Sequence, residues 1–154
     1  MYKNRGIGVV IPVYNEELLV KKVLDTMPDF VDLVIVVDDK SEDASCNIVE
    51  RYISSSKREI ILIKHAKNEG VGGAIVTGYK RAIEENIDIA VVMAGDAQMD
   101  PDELYSLLDA LIVNNADYVK GNRLFNRQAW QKMPKYRYLG NAFLSLFTDR
   151  KSVV

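Results

Sequence analysis

An α/β fold with a doubly wound, mainly parallel sheet and helices on both faces is what this chain predicts, and three observations lead there. Short β-branched runs alternate with longer helical patterns. The runs are nearly continuous in apolar residues, as in strands covered on both faces. No internal repeat or linker interrupts the alternation before residue 120. Crossovers between parallel strands keep one hand, so repeated strand–helix–strand units place helices on both sides of the sheet.

The strands expected are IGVVIPV (7–13), LVIVVDD (33–39), IILIKHA (60–66), DIAVVMA (88–94) and a weaker fifth, DYVKG (117–121). After the first, EELLVKKVLDTM sets Leu19, Val23 and Met27 four apart, with Val20 and Leu24 beside them, as a one-sided apolar stripe. After the second, VVDDKSED offers Ser41 or Asp43 as a cap for a following helix. GVGGAIVTGYKRAIEEN predicts a helix with Val71, Ala74, Ile75, Gly78, Ala82 and Ile83 on one face. PDELYSLLDALIVN predicts another, carrying Leu104, Leu107, Leu108, Leu111 and Ile112. Asp100 can cap it, Pro101 suits its first position, and Asp102 and Glu103 favour the positive end of its dipole.

At 154 residues and 17.4 kDa the chain has the length of one domain. A domain of that size buries about 68–70% of the surface its unfolded chain exposes, so it needs neither disulfides nor a structural metal. With 20 Lys and Arg against 22 Asp and Glu, its net charge of −2 exerts no global pull on nucleic acid. The single cysteine, Cys46, excludes an intramolecular disulfide and a multi-thiolate zinc site, which fits a reducing compartment. MYKNRGIGVVIPVYNEE lacks the apolar region and cleavage site of a signal peptide. No stretch approaches the roughly 18 apolar residues of a membrane span. A cytoplasmic location follows as the expectation.

Charge is segregated along the chain. From Tyr118 to Thr148 there is no acid, while Lys120, Arg123, Arg127, Lys132, Lys135 and Arg137 interleave with Phe125, Trp130, Tyr136 and Tyr138. Six of the 20 Lys and Arg fall there, so the rest of the chain holds 14 against 22 acids, a net −8. Such a basic aromatic segment suits a diphosphate, a lipid phosphate or a membrane headgroup region; solvated charges on a flap are the alternative.

In an open α/β sheet, ligands bind beyond the carboxyl ends of the strands where strand order reverses. With the order 3-2-1-4-5 that point lies between strands one and four, and it converges Glu16, Asp39, Asp96 and Gln98 on one crevice. Asp96 and Gln98 stand two apart, a spacing that lets both oxygens reach one hard cation; a polar turn capping the next helix uses the same residues. Asp38 and Asp39, adjacent at a strand end, point in opposite directions, so one can support the loop while Asp39 accepts a hydrogen bond from a base N–H. Gly70, Gly72 and Gly73 open a helix, but no G-K-[ST] follows them, so Gly72, Gly73 and Gly78 serve close helix packing instead. His65, the lone histidine, has no partner histidine or cysteine motif and takes a structural or solvent-facing role.

VVIPVYNEE, VVDDKSED, NEGVGGAIVTGYKRA, MAGDAQMDP and VKGNR, in that order, resemble the nucleotide-sugar half of a family 2 glycosyltransferase of the GT-A fold. The likeness is to the branch of dolichol-phosphate mannosyltransferase and polyprenyl-phosphate sugar transferases, and it covers roughly residues 6–148. It implies a Rossmann-like sheet, a UDP- or GDP-sugar donor, Mg2+ or Mn2+, and inverting transfer of the sugar to a lipid phosphate or growing glycan. By the same resemblance Pro12, Tyr14 and Glu16 line the nucleotide pocket and Asp39 contacts the base, with Asp38 beside it. Asp96 takes the second acid of the D-x-D element that binds metal and diphosphate, and Gln98 the amide after it. Arg123 reaches the diphosphate, and Arg137 belongs to a mobile basic segment closing over the donor.

Two departures stand out. The first acid of D-x-D falls on Ala94, and the glycine of D-D-G-S falls on Lys40. The organisation expected is one truncated GT-A domain over 1–154, with a nucleotide-sugar core at 6–121 and a basic flap at 122–154 that begins the acceptor side. Residues 120–138 are the expected peripheral membrane contact, at the cytoplasmic face. A non-catalytic nucleotide-sugar-binding fragment or pseudoenzyme is the main alternative. A receiver-like signalling domain is more remote, since its phosphoacceptor Asp would end strand three, where this chain has IILIKHAKN.

Overall fold

The computed structural model describes residues 1–121. It divides into two units, Met1–Leu104 and Tyr105–Val154. In the first, β1 (Ile7–Val13), α1 (Val20–Asp25), β2 (Leu33–Asp38), α2 (Ser45–Ser55), β3 (Glu59–Lys64), α3 (Gly70–Glu84) and β4 (Ile89–Val92) alternate along the chain. All but the start of α4 (Glu103–Val113) belongs to the second.

The strands form one parallel sheet in the order β3-β2-β1-β4, with Val10 of β1 opposite both Ile35 of β2 and Val92 of β4. The chain steps from β1 through β2 to β3 and then returns across the sheet to β4, so the switch point lies between β1 and β4, as expected. Right-handed crossovers then put α1 and α2 on one face and α3 on the other. Packing agrees, because α1 touches α2 whereas α3 lies over β1 and β2. Both central strands are sealed: every residue of β2 is buried, and in β1 all but Pro12. Val10, Leu33, Ile35 and Val37 face α3, joined by Ala74 and Ala82. Each such side chain fully buried contributes about 1.5–3 kcal/mol.

Three expectations change. Residues 117–121 form no strand, so the sheet has four strands among the described residues, not the five of the order 3-2-1-4-5. Only Tyr118 and Val119 of that run are apolar and Tyr118 is 74% exposed, which leaves little to bury on two faces. On α3 the buried row is Ala74, Gly78 and Ala82, while Val71 and Ile83 are exposed. That row wins because a file of small side chains lets the helix backbone settle against β1: a Cβ on Gly78 would overlap Val10 Cγ1 and stand 3.0 Å from Cγ2. Gly72 packs against nothing, and a Cβ on Gly73 would meet only its own helix at Glu69.

Arg58 closes the turn between α1 and β2. Its Nη1 donates to the carbonyls of Pro28 (2.7 Å) and Val31 (3.0 Å), and its Nη2 to that of Met27 (2.9 Å). Removing a charged donor leaves partly buried carbonyls unpaired, so Arg58→Met should cost about 2–3 kcal/mol in urea denaturation. An unchanged midpoint would show that water replaces the guanidinium freely.

Candidate functional site

The crevice is assembled from loops that tie one another down. Asn15 N–H donates to Ser41 Oγ (3.0 Å), and Glu42 N–H returns a bond to Asn15 Oδ1 (2.8 Å). Glu16 N–H donates to Ser45 Oγ (2.8 Å), Glu17 N–H to Asp43 Oδ2 (3.0 Å), and Ala44 N–H to Glu17 Oε2 (3.0 Å). Asp43 also accepts from Ser45 N–H (2.9 Å) just ahead of α2, whose N-cap is Ala44 and carries no side-chain cap bond. Ser41, expected as a helix cap, holds the neighbouring loop instead. The β1 and β2 exits therefore behave as one unit.

Non-glycine residues with positive φ sit in three of the four strand-exit loops: Asn15 (55°), Lys40 (63°) and Ala97 (54°). Asn tolerates that region, whereas the Cβ of Lys or Ala costs roughly 1–2 kcal/mol there. Lys40→Gly should accordingly raise stability by about 0.5–1 kcal/mol after the larger entropy of unfolded glycine is offset. A lower thermal midpoint in that variant would contradict the argument.

The loop after β4 lies against the end of β1. A Cβ on Gly95 would stand 3.2 Å from the Pro12 carbonyl oxygen, 3.3 Å from Val13 Cγ2 and 3.6 Å from Glu16 Cγ. Glu16 and Asp96 consequently share the crevice, and their proximity is felt in protonation: burial first, then the Asp96 and Asp43 carboxylates, push the Glu16 carboxyl up. Asp96 Oδ1 accepts from Gln98 N–H (3.0 Å), the bond of a polar turn. Ala94, which stands where the D-x-D pattern has its first acid, donates its N–H to Met99 Sδ (3.4 Å). Beneath this loop a cleft of about 280 Å³ is lined by Lys22, Thr26, Met93 and Gln98 among others. Among the described residues no three Asp, Glu, His or Cys side chains form a preformed metal cage. A carboxyl such as Glu16, pushed up by burial and by the neighbouring Asp96 carboxylate, nevertheless makes a setting that a divalent cation relieves.

Asp38 and Asp39 are both 3% exposed. Their backbones extend the sheet, Asp39 N–H reaching the Val13 carbonyl and the Asp38 carbonyl accepting from His65 N–H. Asp38 Oδ2 accepts from Ser41 N–H (3.1 Å), which is the loop-supporting role expected of one of the pair. Burial first, and then the Asp38 carboxylate, push the nearby Cys46 thiol up to about 11, which makes it a poor nucleophile. Asp39 Oδ1 accepts from Glu69 N–H (2.8 Å) and meets His65 Nδ1 at 2.8 Å. Burial alone would raise the Asp39 carboxyl, but the Glu69 amide and the His65 ring hold it below the usual carboxylate range. The stability it lends is thus present above its ordinary titration and is lost as pH falls through its lowered one.

Of the residues expected here, Pro12, Glu16, Ala94 and Asp96 meet at the ends of β1 and β4, Tyr14 is 48% exposed at the β1 exit, and Asp38 and Asp39 close β2. Gln98 lines the cleft beneath the loop. Arg123 and Arg137 lie outside the described residues. Sequence reasoning missed Asn15, Ser45 and Thr77. An Asn two residues past a strand was the one usable signal, because Asn accepts positive φ and bonds neighbouring backbone.

A parallel sheet flanked by helices, with polar loops and the Glu16 and Asp96 carboxylates at its switch point, is an α/β domain of the Rossmann-like class. The chain belongs to Glycosyl transferase family 2, whose pattern matches residues 8–153. It is 36% identical to the UDP-N-acetylglucosamine–dolichyl-phosphate N-acetylglucosaminyltransferase of Methanococcus voltae, over 92% of this chain and 61% of that protein. It is 29% identical to the dolichol-phosphate mannosyltransferase of Pyrococcus furiosus, over 96% of this chain and 47% of that one. The chain thus spans about half to three-fifths of the length of these relatives. Among solved structures, Staphylococcus aureus TarS 1–349 in complex with UDP superposes with a TM-score of 0.59 at 20% identity, over 79% of this chain and 40% of that one. Glucosyl-3-phosphoglycerate synthase of Mycobacterium tuberculosis, solved with Mn2+ and UDP, gives 0.52 at 24%, over 79% of this chain and 46% of that one. These likenesses establish the GT-A fold. Membership also removes the receiver-like alternative, whose acidic strand end is here Lys64.

Proposed function

We infer that this chain is the donor-binding part of an inverting glycosyltransferase that takes a UDP- or GDP-sugar and passes the sugar to a lipid phosphate or a growing glycan. The observation that carries this is the convergence of Glu16 and Asp96 at the switch point of a family 2 sheet. The names of the two archaeal relatives support a lipid-phosphate acceptor.

In this reading Pro12, Tyr14 and Glu16 border the nucleotide, Asp39 accepts from the base, and Asp96 with Gln98 offers oxygens to Mg2+ or Mn2+. Such an ion would stabilise the leaving diphosphate. Ala94 supplies no carboxylate, so Asp96 and Gln98 would hold such an ion with more help from the diphosphate oxygens than a two-acid site needs. Arg123 and Arg137 would add positive charge at the diphosphate. An acceptor phosphate is already ionised, so direct displacement at the anomeric carbon needs no protein base. Residues 120–138 would meet the membrane surface where a lipid acceptor is presented, on the cytoplasmic side. The division into a donor core at 6–121 and a basic acceptor-side flap at 122–154 belongs to the same proposal.

A thermal-shift panel of UDP- and GDP-sugars, each with and without Mn2+, tests it. A ligand at 100 times its Kd adds about 2.7 kcal/mol to the folded state. One nucleotide class should raise the midpoint, and more so with metal. Binding without transfer of a labelled sugar to a polyprenyl phosphate would favour the non-catalytic alternative. A flat panel would reject the donor site itself.

A further inference from the structure

Asp39, His65 and Thr77 come from three separate segments and form one directed chain. The Asp39 carboxylate can only accept, so His65 Nδ1 carries the proton it shares with Oδ1 at 2.8 Å. In the neutral ring Nε2 is then an acceptor, and the Thr77 hydroxyl, 3.0 Å away on α3, donates to it. The two bonded side chains are nearly enclosed, at 10% exposure for His65 and 4% for Asp39. Glu69 N–H donates to the same Oδ1 from the loop that leads into α3. Both of these bonds are made by Oδ1, and the Gly70 N–H at the start of α3 adds a further favourable contact to the carboxylate.

We propose that His65 is a positioning residue for base selection: it spends Oδ1 and fixes the plane of Asp39 so that Oδ2 alone is offered to the nucleotide. This rests on the donor-site reading above. A carboxylate oxygen held in one direction accepts from a ring N–H, which uracil has at N3 and guanine at N1. At the matching edge cytosine presents N3 and adenine N1, both acceptors, and an acceptor facing a carboxylate is repelled. The arrangement therefore selects uridine or guanosine diphosphates against cytidine and adenosine diphosphates. Thr77 acts one step further out, by holding the tautomer in which Nδ1 bears the proton.

The test is titration calorimetry with UDP, GDP, CDP and ADP, and separately with pyrophosphate, all in Mn2+, on the wild type, His65→Phe, His65→Asn and Thr77→Val. The wild type should prefer UDP or GDP over CDP and ADP by at least about tenfold. His65→Phe should shrink that ratio to about threefold or less while pyrophosphate affinity stays unchanged, because only the direction of Asp39 is lost. His65→Asn, which keeps a side-chain N–H for Oδ1, should restore most of the preference. Since the chain has one histidine, the imidazole 15N spectrum reads the tautomer directly: wild type should show Nδ1–H, with Nε2–H growing in Thr77→Val. Should His65→Phe fail to fold, His65→Asn and the spectrum decide. An unchanged base ratio in His65→Phe, or an Nε2–H tautomer in the wild type, overturns the proposal alone. A wild type that shows the Nδ1–H tautomer but binds no nucleotide overturns the donor reading and the role of His65 with it.

Discussion

Gly78→Val should destabilise the domain by about 3 kcal/mol, at the upper end of what overpacking a close-packed core costs. The first added carbon already overlaps Val10 Cγ1 and lies 3.1 Å from Val10 Cβ. Val10 cannot retreat, since it is fully buried in the central strand with Ile35 and Val92 on either side. Helix propensity works the other way, favouring most residues over glycine by up to about 1 kcal/mol, and it is too small to decide the sign. The origin of the cost can be isolated with a cycle. Val10→Ala should be destabilising in the wild type but should recover part of the loss in Gly78→Val, with a coupling of about 1–3 kcal/mol. Urea midpoints that simply add would mean that α3 shifts rather than collides, and that the small-residue row is not what sets its distance from the sheet.

Asp96→Asn is expected to act in opposite directions with and without metal. With Mn2+ and the preferred nucleotide sugar, the variant should lose most of the metal-dependent rise in melting temperature, because Ala94 leaves no second acid at the D-x-D position to take over. Without metal it should be as stable as the wild type or somewhat more so at neutral pH. Glu16 titrates above its ordinary 4.5 partly because Asp96 is near. A carboxyl raised in the folded state lends stability below its unfolded pKa and loses it as pH rises through the folded one, so relief of repulsion appears only above about pH 4.5. Denaturation curves at pH 4 and pH 7 check the sign. Equal loss of stability at both, with no change in metal response, would place Asp96 in the polar turn alone.

Much of the frame was legible beforehand. Four apolar runs became β1 to β4 because a stretch such as Leu33–Val37 can be buried only by covering both of its faces, and that requirement also dictates parallel strands and helical crossovers. Once the strand order is 3-2-1-4, the crevice opens between β1 and β4, and of the four residues expected there, Glu16, Asp39, Asp96 and Gln98, the Asp96 carboxylate is felt at Glu16. The fifth run failed for the same reason that the others succeeded: DYVKG has too little to bury. On α3, helical periodicity could list six residues on one face but could not choose among them. Close approach chose Ala74, Gly78 and Ala82.

The sequence by itself determined four of the strands and that they run parallel, because a hydrophobic run that needs cover on both faces is a local signal. Only the tertiary structure decided what the acids at the strand ends do. Asp38 and Asp39 are adjacent and chemically identical, yet one supports its own loop through Ser41 and the other is held by His65 and Glu69 from 26 and 30 residues away. Asn15, Ser45 and Thr77 likewise have no role until loops distant in the chain are brought within 3.0 Å of them. Hydrogen bonds act over a few ångströms, so the partner of a polar side chain is settled by packing and not by its sequence neighbours.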